Sequence, residues 1–392
     1  MVIFHQSLRI SAVGQSHSFN ITAALFPLVL PPSEKPAPPD QRVLALDLPG
    51  RGLYSRLLMQ LDDQNQSRRA AGMLLLATVF WGLSFPVMKA LLLAQAQLLP
   101  HASSWFRTSS AVTVRFGISA LILLIWTWPS LGRMTRLELW QGFGLGLCGG
   151  LGLLFQMDGL AYTSASTSAF LTQCYCLILP FVVAFRERRW PPSATLLVCL
   201  LVFIGVGVLA QVDGRAFKLG RGEWETFLGS FVFTGQILWL ERPLFSRNKV
   251  SRFTLVMFVT MTLIAGPVGL VTMQGPGDWL VAFSSVQVVG LTLILVLFCT
   301  LISAVMMNQW QRYVPVTEAG LIYGAEPLFA SLFALFLPAL FSQWASLDYS
   351  NEKLTPHLMI GGGMISLANL LVQLRRAGAP RRETAPRPFV DR

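Results

Sequence analysis

Three ionisable side chains stand inside stretches of sequence too apolar to hydrate them: Lys89, Arg115 and Glu326. A charge at the centre of a membrane span costs about 3 kcal/mol on insertion scales, and less toward the interface. Lys89 falls toward one end of its stretch. It either serves a polar pathway or lets its long stem carry the ammonium out to the interface. Arg115 occupies the first turns of the next stretch and presents the same two alternatives. Glu326 precedes Pro327 in the middle of a late stretch, where a lipid-exposed carboxylate would be expensive. It could carry a proton, pair with a cationic solute, or fill the backbone vacancy near the proline. Glu318, at the start of the same stretch, fits a favourable charge at a helix N-terminus.

Polar and aromatic residues at similar depth could line a central cavity: Trp81, Gln173, Gln236, Trp239, Asn308 and Tyr323. Small-molecule cavities combine an apolar, aromatic lining with a few oriented polar groups. Interhelical hydrogen bonds explain the amides equally well, and Trp or Tyr near helix ends also serve as interface anchors. Pro86, Pro180 and Pro327 free backbone carbonyls and act as hinges or as packing kinks. Catalytic pairs and cofactor motifs are missing from these stretches. The five cysteines all lie in apolar stretches, and Cys174 and Cys176 diverge on a helix. The four histidines are scattered, so no metal site is expected. GLGLCG (144–149) fits a dinucleotide fingerprint but follows no strand; its glycine spacing reads as close helix packing.

The elements that must hold these residues follow from composition. Of 392 residues, 53% are hydrophobic and 12% charged, with mean hydropathy +0.57; soluble domains carry about 25% charged residues. The apolar residues come in stretches of about twenty, the length that crosses a bilayer as a helix. The expected fold is an all-α membrane protein with ten spans, near 70–93, 109–128, 139–157, 167–185, 193–212, 223–241, 253–273, 285–307, 317–341 and 357–374. The net charge of +11 sits in short clusters between spans and in the tail, which excludes a continuous nucleic-acid face. Basic residues are concentrated on one side, at Arg68, Arg69, Arg133, Arg136, Arg186, Arg188, Arg189, Arg242, Arg247, Lys249, Arg252, Arg312 and in the tail. The other side carries Arg107, Arg215, Lys218, Arg221 and Lys353. Both termini are therefore expected in the cytoplasm, in an inner (plasma) membrane. Residues 1–66 are mixed and Pro-rich and read as a disordered extension, with translation expected to start at Met59. Residues 376–392 read as a basic cytoplasmic tail.

The two halves echo each other. FWGLSFPVMK (80–89) aligns with FTGQILWLER (233–242), YTSASTSAFLTQCYCLILP (162–180) with YVPVTEAGLIYGAEP (313–327), and IGVGVL (204–209) with IGGGMI (360–365). Five spans per half is an odd number, so the second half (222–375) is inserted upside down relative to the first (67–213). Inverted repeats are how many secondary transporters are built, with the solute site near the midplane between halves.

Over roughly residues 68–376 the chain resembles the drug/metabolite transporter superfamily, specifically its ten-helix EamA-type exporters. The resemblance rests on FWGLSFPVMK, VRFG (114–117), GLAYTSASTSAFLT followed by Pro180, RERRWP (186–191) and RYVPVTEAGLIYGAEPLFASLFAL (312–335). FRERRW keeps Glu187 and Arg188 of a common Gly-Glu-Arg group but lacks its Gly, and the connection between the first two spans is longer than usual. The resemblance implies export of small organic solutes, such as amino acids, metabolites or drugs, by alternating access. Coupling would be to protons or absent, since no ATP-binding motif occurs. The other classes are a non-coupled facilitator or channel, a receptor-like membrane protein and, least of all, an intramembrane enzyme.

Overall fold

In the computed structural model, residues 51–175, 178, 181, 182, 185, 188, 193–209, 220–240, 242–314, 319 and 322–378 are described. Pro180, Glu187, Glu318 and residues 1–50 and 379–392 lie outside them. Two units are distinguished, Met1–Leu57 and Leu58–Arg392; the first is described only over residues 51–57, which are helical.

Every regular element among the described residues is a helix. In chain order they are α1 (Arg51–Leu98), α2 (Ser104–Thr127), α3 (Arg136–Tyr162), α4 (Ala165–Thr172), α5 (Ser193–Leu209), α6 (Arg221–Leu240) and α7 (Val250–Thr272). Then come α8 (Asp278–Ala282), α9 (Val286–Val296), a π-helical turn (Leu297–Ile302), α10 (Ser303–Trp310), α11 (Glu326–Ala334), α12 (Leu337–Ala345) and α13 (Pro356–Gly378). Helix occurs in each of the ten expected stretches. Among the described residues, five helices are long and apolar enough to cross a membrane: Gln66–Leu98, Ser104–Arg133, Arg136–Tyr162, Val250–Thr272 and Val286–Trp310. The pair α11 and α12, bent by 50°, qualifies as a sixth if taken as one span.

Local chemistry sets several boundaries differently from the hydropathy pattern. Helix α1 begins at Arg51, ahead of residue 67. The long connection expected after it shrinks to residues 99–103, because α1 runs to Leu98 and Ser103 caps α2 by accepting the Phe106 N–H at 3.1 Å. Pro86 lies inside an unbroken α1. Pro327 sits in the first turn of α11, where its missing N–H costs nothing. The span expected over 317–341 is interrupted before Glu326 and again between α11 and α12.

Burial is inverted relative to a soluble domain. Large apolar side chains such as Ile125, Leu197, Phe203 and Leu263 are more than 60% exposed, whereas Arg115, Asp158, Gln173 and Glu326 are buried. An exterior of this kind suits lipid.

Helix α3 is the central strut, packing along both α6 and α7, while α2 packs on α7, α4 on α11 and α5 on α13. Ala70, Leu74 and Ala77 of α1 pack with Met306 and Trp310 of α10. Close approach at α3 depends on glycine. A Cβ on Gly142 would stand 2.5 Å from Phe253 O, and one on Gly146 2.6 Å from Met257 O, both backbone atoms of α7. On the other face, Gly159 and Gly222 of α6 meet so that a Cβ on either would lie 2.6 Å from the other's carbonyl oxygen.

Polar bonds tie the two ends of the bundle. Where α3 begins, Thr135 and Glu138 form a capping box. Glu138 also accepts from the Lys249 N–H at 3.0 Å and from Arg252 at 3.4 Å, and Arg252 donates to Arg133 O at 2.6 Å. Where α3 finishes, Arg221 donates to Asp158 at 2.5 Å, Glu225 at 2.7 Å, Tyr162 Oη at 2.7 Å and Ser104 at 3.4 Å. One guanidinium thereby joins α2, α3 and α6. At the same end the Glu352 carboxylate accepts the Ala165 N–H at 2.8 Å and the Ser166 N–H at 3.3 Å, capping α4 from the loop between α12 and α13.

Candidate functional site

A cavity of about 260 Å³ lies inside the bundle. Its wall draws Trp81 and Ser84 from α1, Arg115 and Phe116 from α2, and Leu145, Gly149, Leu153 and Gln156 from α3. Thr172 and Tyr175 come from α4 and its continuation, Phe233, Gln236 and Leu240 from α6, and Met257, Phe258 and Met261 from α7. Cys299 and Thr300 come from the π turn, Ser303, Met307 and Asn308 from α10, Gln311 from just after it, and Tyr323 and Glu326 from the start of α11. Leu240 and Gln311 sit at the end of the bundle opposite Arg221, so the cavity extends toward that end.

Several polar wall groups are fixed by neighbours. Arg115 is 5% exposed. It donates to Thr300 Oγ1 at 2.5 Å, Cys299 O at 2.9 Å and Met88 Sδ at 3.4 Å, and its guanidinium lies 5.3 Å from the Phe116 ring centroid. The Cys299 carbonyl can accept because it belongs to the π turn, whose wider pitch disturbs the regular i→i−4 ladder. Glu326 is 8% exposed and opens α11, where the positive end of the helix dipole favours a carboxylate. Gln173, fully buried at the end of α4, donates to Glu326 Oε2 at 3.0 Å and to Tyr323 O at 3.1 Å. Trp81 and Tyr323 pack with ring centroids 5.4 Å apart. Gly82, one residue on, is where α1 presses on α11: a Cβ there would lie 2.7 Å from Phe329 Cβ and 3.1 Å from Glu326 O.

Of the residues singled out from the sequence, Trp81, Arg115, Gln236, Asn308, Tyr323 and Glu326 share this cavity, and Gln173 braces it from behind. Two lie elsewhere. The Lys89 ammonium donates to Leu160 O at 2.7 Å, Ala161 O at 3.0 Å and Thr163 O at 3.1 Å, at the C-terminus of α3. Trp239 covers α3 at Gly144, donates its indole N–H to Gln141 O at 3.2 Å, and carries Arg242 at 3.9 Å from its ring centroid. Sequence reasoning did not single out Thr300, Ser303, or the pair in which Gln156 donates to Thr172 at 2.8 Å. Hydroxyls of this kind inside apolar stretches are the signal that would have found them.

Among the described residues, a helical bundle with an apolar exterior and a mostly apolar internal cavity that carries a few buried polar groups has the make-up of a membrane transport protein. Residues 68–211 match the model of the EamA-like transporter family, and that stretch of the chain is EamA-like. An uncharacterized transporter of Archaeoglobus fulgidus is 26% identical over 306 residues, covering 77% of this chain and 85% of its own length. A solved structure described simply as the crystal structure of a protein aligns with 77% of this chain and 99% of its own. Its TM-score is 0.46 at 15% identity.

Proposed function

We propose that the chain is a secondary transporter, not an enzyme, that exports small organic solutes across the inner membrane by alternating access. On this reading it crosses the bilayer ten times as two inverted five-helix repeats with both termini in the cytoplasm. The observation that carries the proposal is the buried cavity, walled by helices of both halves and holding Arg115 and Glu326. Solute sites of inverted-repeat transporters lie in this position.

The packing partners support the repeat. Helix α1 meets α10 as α6 meets α3, and the counterpart helices α2 and α7, α4 and α11, and α5 and α13 pack on each other. The counterpart motifs IGVGVL and IGGGMI meet as well: a Cβ on Gly205 would stand 3.0 Å from Gly361 O. The bonds of Arg221, Lys89 and Glu352 close one end of the bundle, while the cavity reaches toward the other. With the termini in the cytoplasm, this arrangement is the inward-facing member of an alternating pair. Glu326 is the group placed to exchange a proton, and Pro86, Pro180 and Pro327 are the proposed hinges.

The test is solute flux in proteoliposomes containing the purified full-length chain, with and without a pH gradient. Saturable, counterflow-competent flux is expected, with Glu326→Gln removing its dependence on the gradient. Flux that rises linearly with solute concentration would replace the transporter with a channel. The absence of flux for every solute tried would remove the proposal.

A further inference from the structure

Away from the cavity, one edge of one guanidinium carries two carboxyl groups. Arg221 Nε donates to Glu225 Oε1 at 2.7 Å, and Nη2, on the same edge, donates to Asp158 Oδ2 at 2.5 Å. That edge ordinarily receives both oxygens of a single carboxylate. Two separate carboxyls in its place bring Asp158 and Glu225 within hydrogen-bond reach of each other. Asp158 is fully buried, and Glu225 Oε2 is shut away from solvent with no donor bonded to it. Carboxylates only accept, so a hydrogen bond between two of them requires that one hold a proton. Like charges sharing a site impose the same condition.

Among the described residues, the surroundings do not correct this balance of two carboxyls to one cation. Arg107 of α2 lies close enough for its charge to act on Asp158, while Glu223 of α6 accepts from Thr163 Oγ1 at 2.6 Å at the same end. Lys89 and Glu352 are likewise opposite in sign, each engaged with main-chain atoms. Thr108 and Tyr162 add hydroxyls, to Asp158 Oδ1 at 3.4 Å and to Arg221 Nη1 at 2.7 Å, and α4 brings no titratable group.

We propose that Asp158 and Glu225 bind one proton between them, and that this end of the bundle stays shut only while the proton is held. The closure rests on the alternating reading above; the shared proton does not. With the proton in place, one negative charge meets the Arg221 cation, and the two carboxyls attract. Without it, two anions face one cation, and the excess charge is buried with Asp158. Asp158 belongs to the last turn of α3, whereas Arg221 and Glu225 open α6, so repulsion works against the junction that Arg221 ties together. Parting the two helices leaves Arg221 and Glu225 paired on α6 and returns Asp158 to water. Arg221 is 46% exposed, which gives the proton its path at this end of the bundle. Neither carboxyl lines the cavity, so the site is separate from Glu326. The shut form binds one proton more than the open form, so raising the pH favours opening by up to about tenfold per unit.

The test begins with infrared difference spectra of the purified full-length chain in detergent, taken between about pH 5 and about pH 9. A protonated-carboxyl band is expected at the acid pH that survives Glu326→Gln and disappears in both Glu225→Gln and Asp158→Asn. Closure is read by maleimide labelling of Ser166→Cys, with the five native cysteines replaced by alanine. Ser166 is buried at this end and its hydroxyl makes no bond. Dividing by the rate of the same reporter carrying Glu225→Gln cancels the thiol's own titration. That ratio is expected to rise at least about tenfold over the range. Absence of the band, its persistence in either variant of the pair, or a ratio independent of pH overturns the proposal. The band in the Glu326→Gln chain needs no change to the pair, so its absence counts even if both pair variants fail to fold. A band without solute flux in proteoliposomes defeats the transport reading alone; flux without the band defeats this inference alone.

Discussion

Replacing Lys89 by methionine separates a pathway role from the structural one its bonds describe. The ammonium makes three bonds of 2.7–3.1 Å to Leu160, Ala161 and Thr163 carbonyls, at the negative end of the α3 dipole. Charge-assisted bonds contribute about 1.5–3 kcal/mol each in favourable cases, and the dipole adds up to about 2 kcal/mol in partly buried geometry. One ammonium serves all three carbonyls, and its own desolvation offsets much of the gain. Methionine fills similar volume and leaves the α3 carbonyls without that donor, so the net loss is about 2 kcal/mol. For a chain of 392 residues that lowers the melting temperature by about 2–3 °C. The assay is thermal unfolding of the detergent-solubilised chain followed by tryptophan fluorescence, beside solute binding on folded material. A lower melting temperature with unchanged binding is the expected pattern. Unchanged melting with lost binding would refute the capping argument and return Lys89 to the solute path.

Glycine 146 should not tolerate a side chain: Gly146→Val is expected to cost about 1–3 kcal/mol through its clash with Met257 O, read as a drop in melting temperature. Gly72, which has nothing within 4 Å of an added Cβ, is the control that should remain unaffected as Gly72→Ala. Arg252→Ala removes the cation beside Glu138 and the bond to Arg133 O but leaves the Thr135 and Lys249 N–H bonds to the carboxylate, so a loss of about 1–3 kcal/mol is expected, read by the same melting assay. Glu352→Gln keeps an acceptor for Ala165 and Ser166 but removes the charge, so a loss of about 0.3–1 kcal/mol is expected; Glu352→Ala should lose more, by the same melting assay.

What could be read before the fold was known depended on where a signal resides. Arg115 and Glu326 announce themselves because a charge in an apolar stretch is costly wherever it points, and both line the cavity. Lys89 sends the same signal, yet its partners are main-chain carbonyls about seventy residues away, and carbonyls have no sequence signature. Trp239 was indistinguishable from a lining aromatic; the glycine at 144 that admits it lies on another helix. The π turn at 297–302 has no compositional mark, although it frees the carbonyl that holds Arg115. Likewise, hydropathy runs across 317–341 without a gap, while the break before Glu326 comes from turn geometry and a proline at the new helix start.

The glycines of α3 also bear on how this chain can change over generations. Where one helix rests on another through main-chain atoms, no side chain exists to be exchanged for a neighbouring one of similar size. Paired compensation, by which a larger residue on one wall is answered by a smaller one opposite, works only in part at Gly142, Gly146 or Gly159: shrinking Val256, Thr260 or Thr226 leaves the main-chain oxygens of Phe253, Met257 and Gly222 just as close. Drift is therefore channelled to the lipid-facing flank of α3, at Leu139, Phe143, Leu147 and Leu151, where any apolar residue serves.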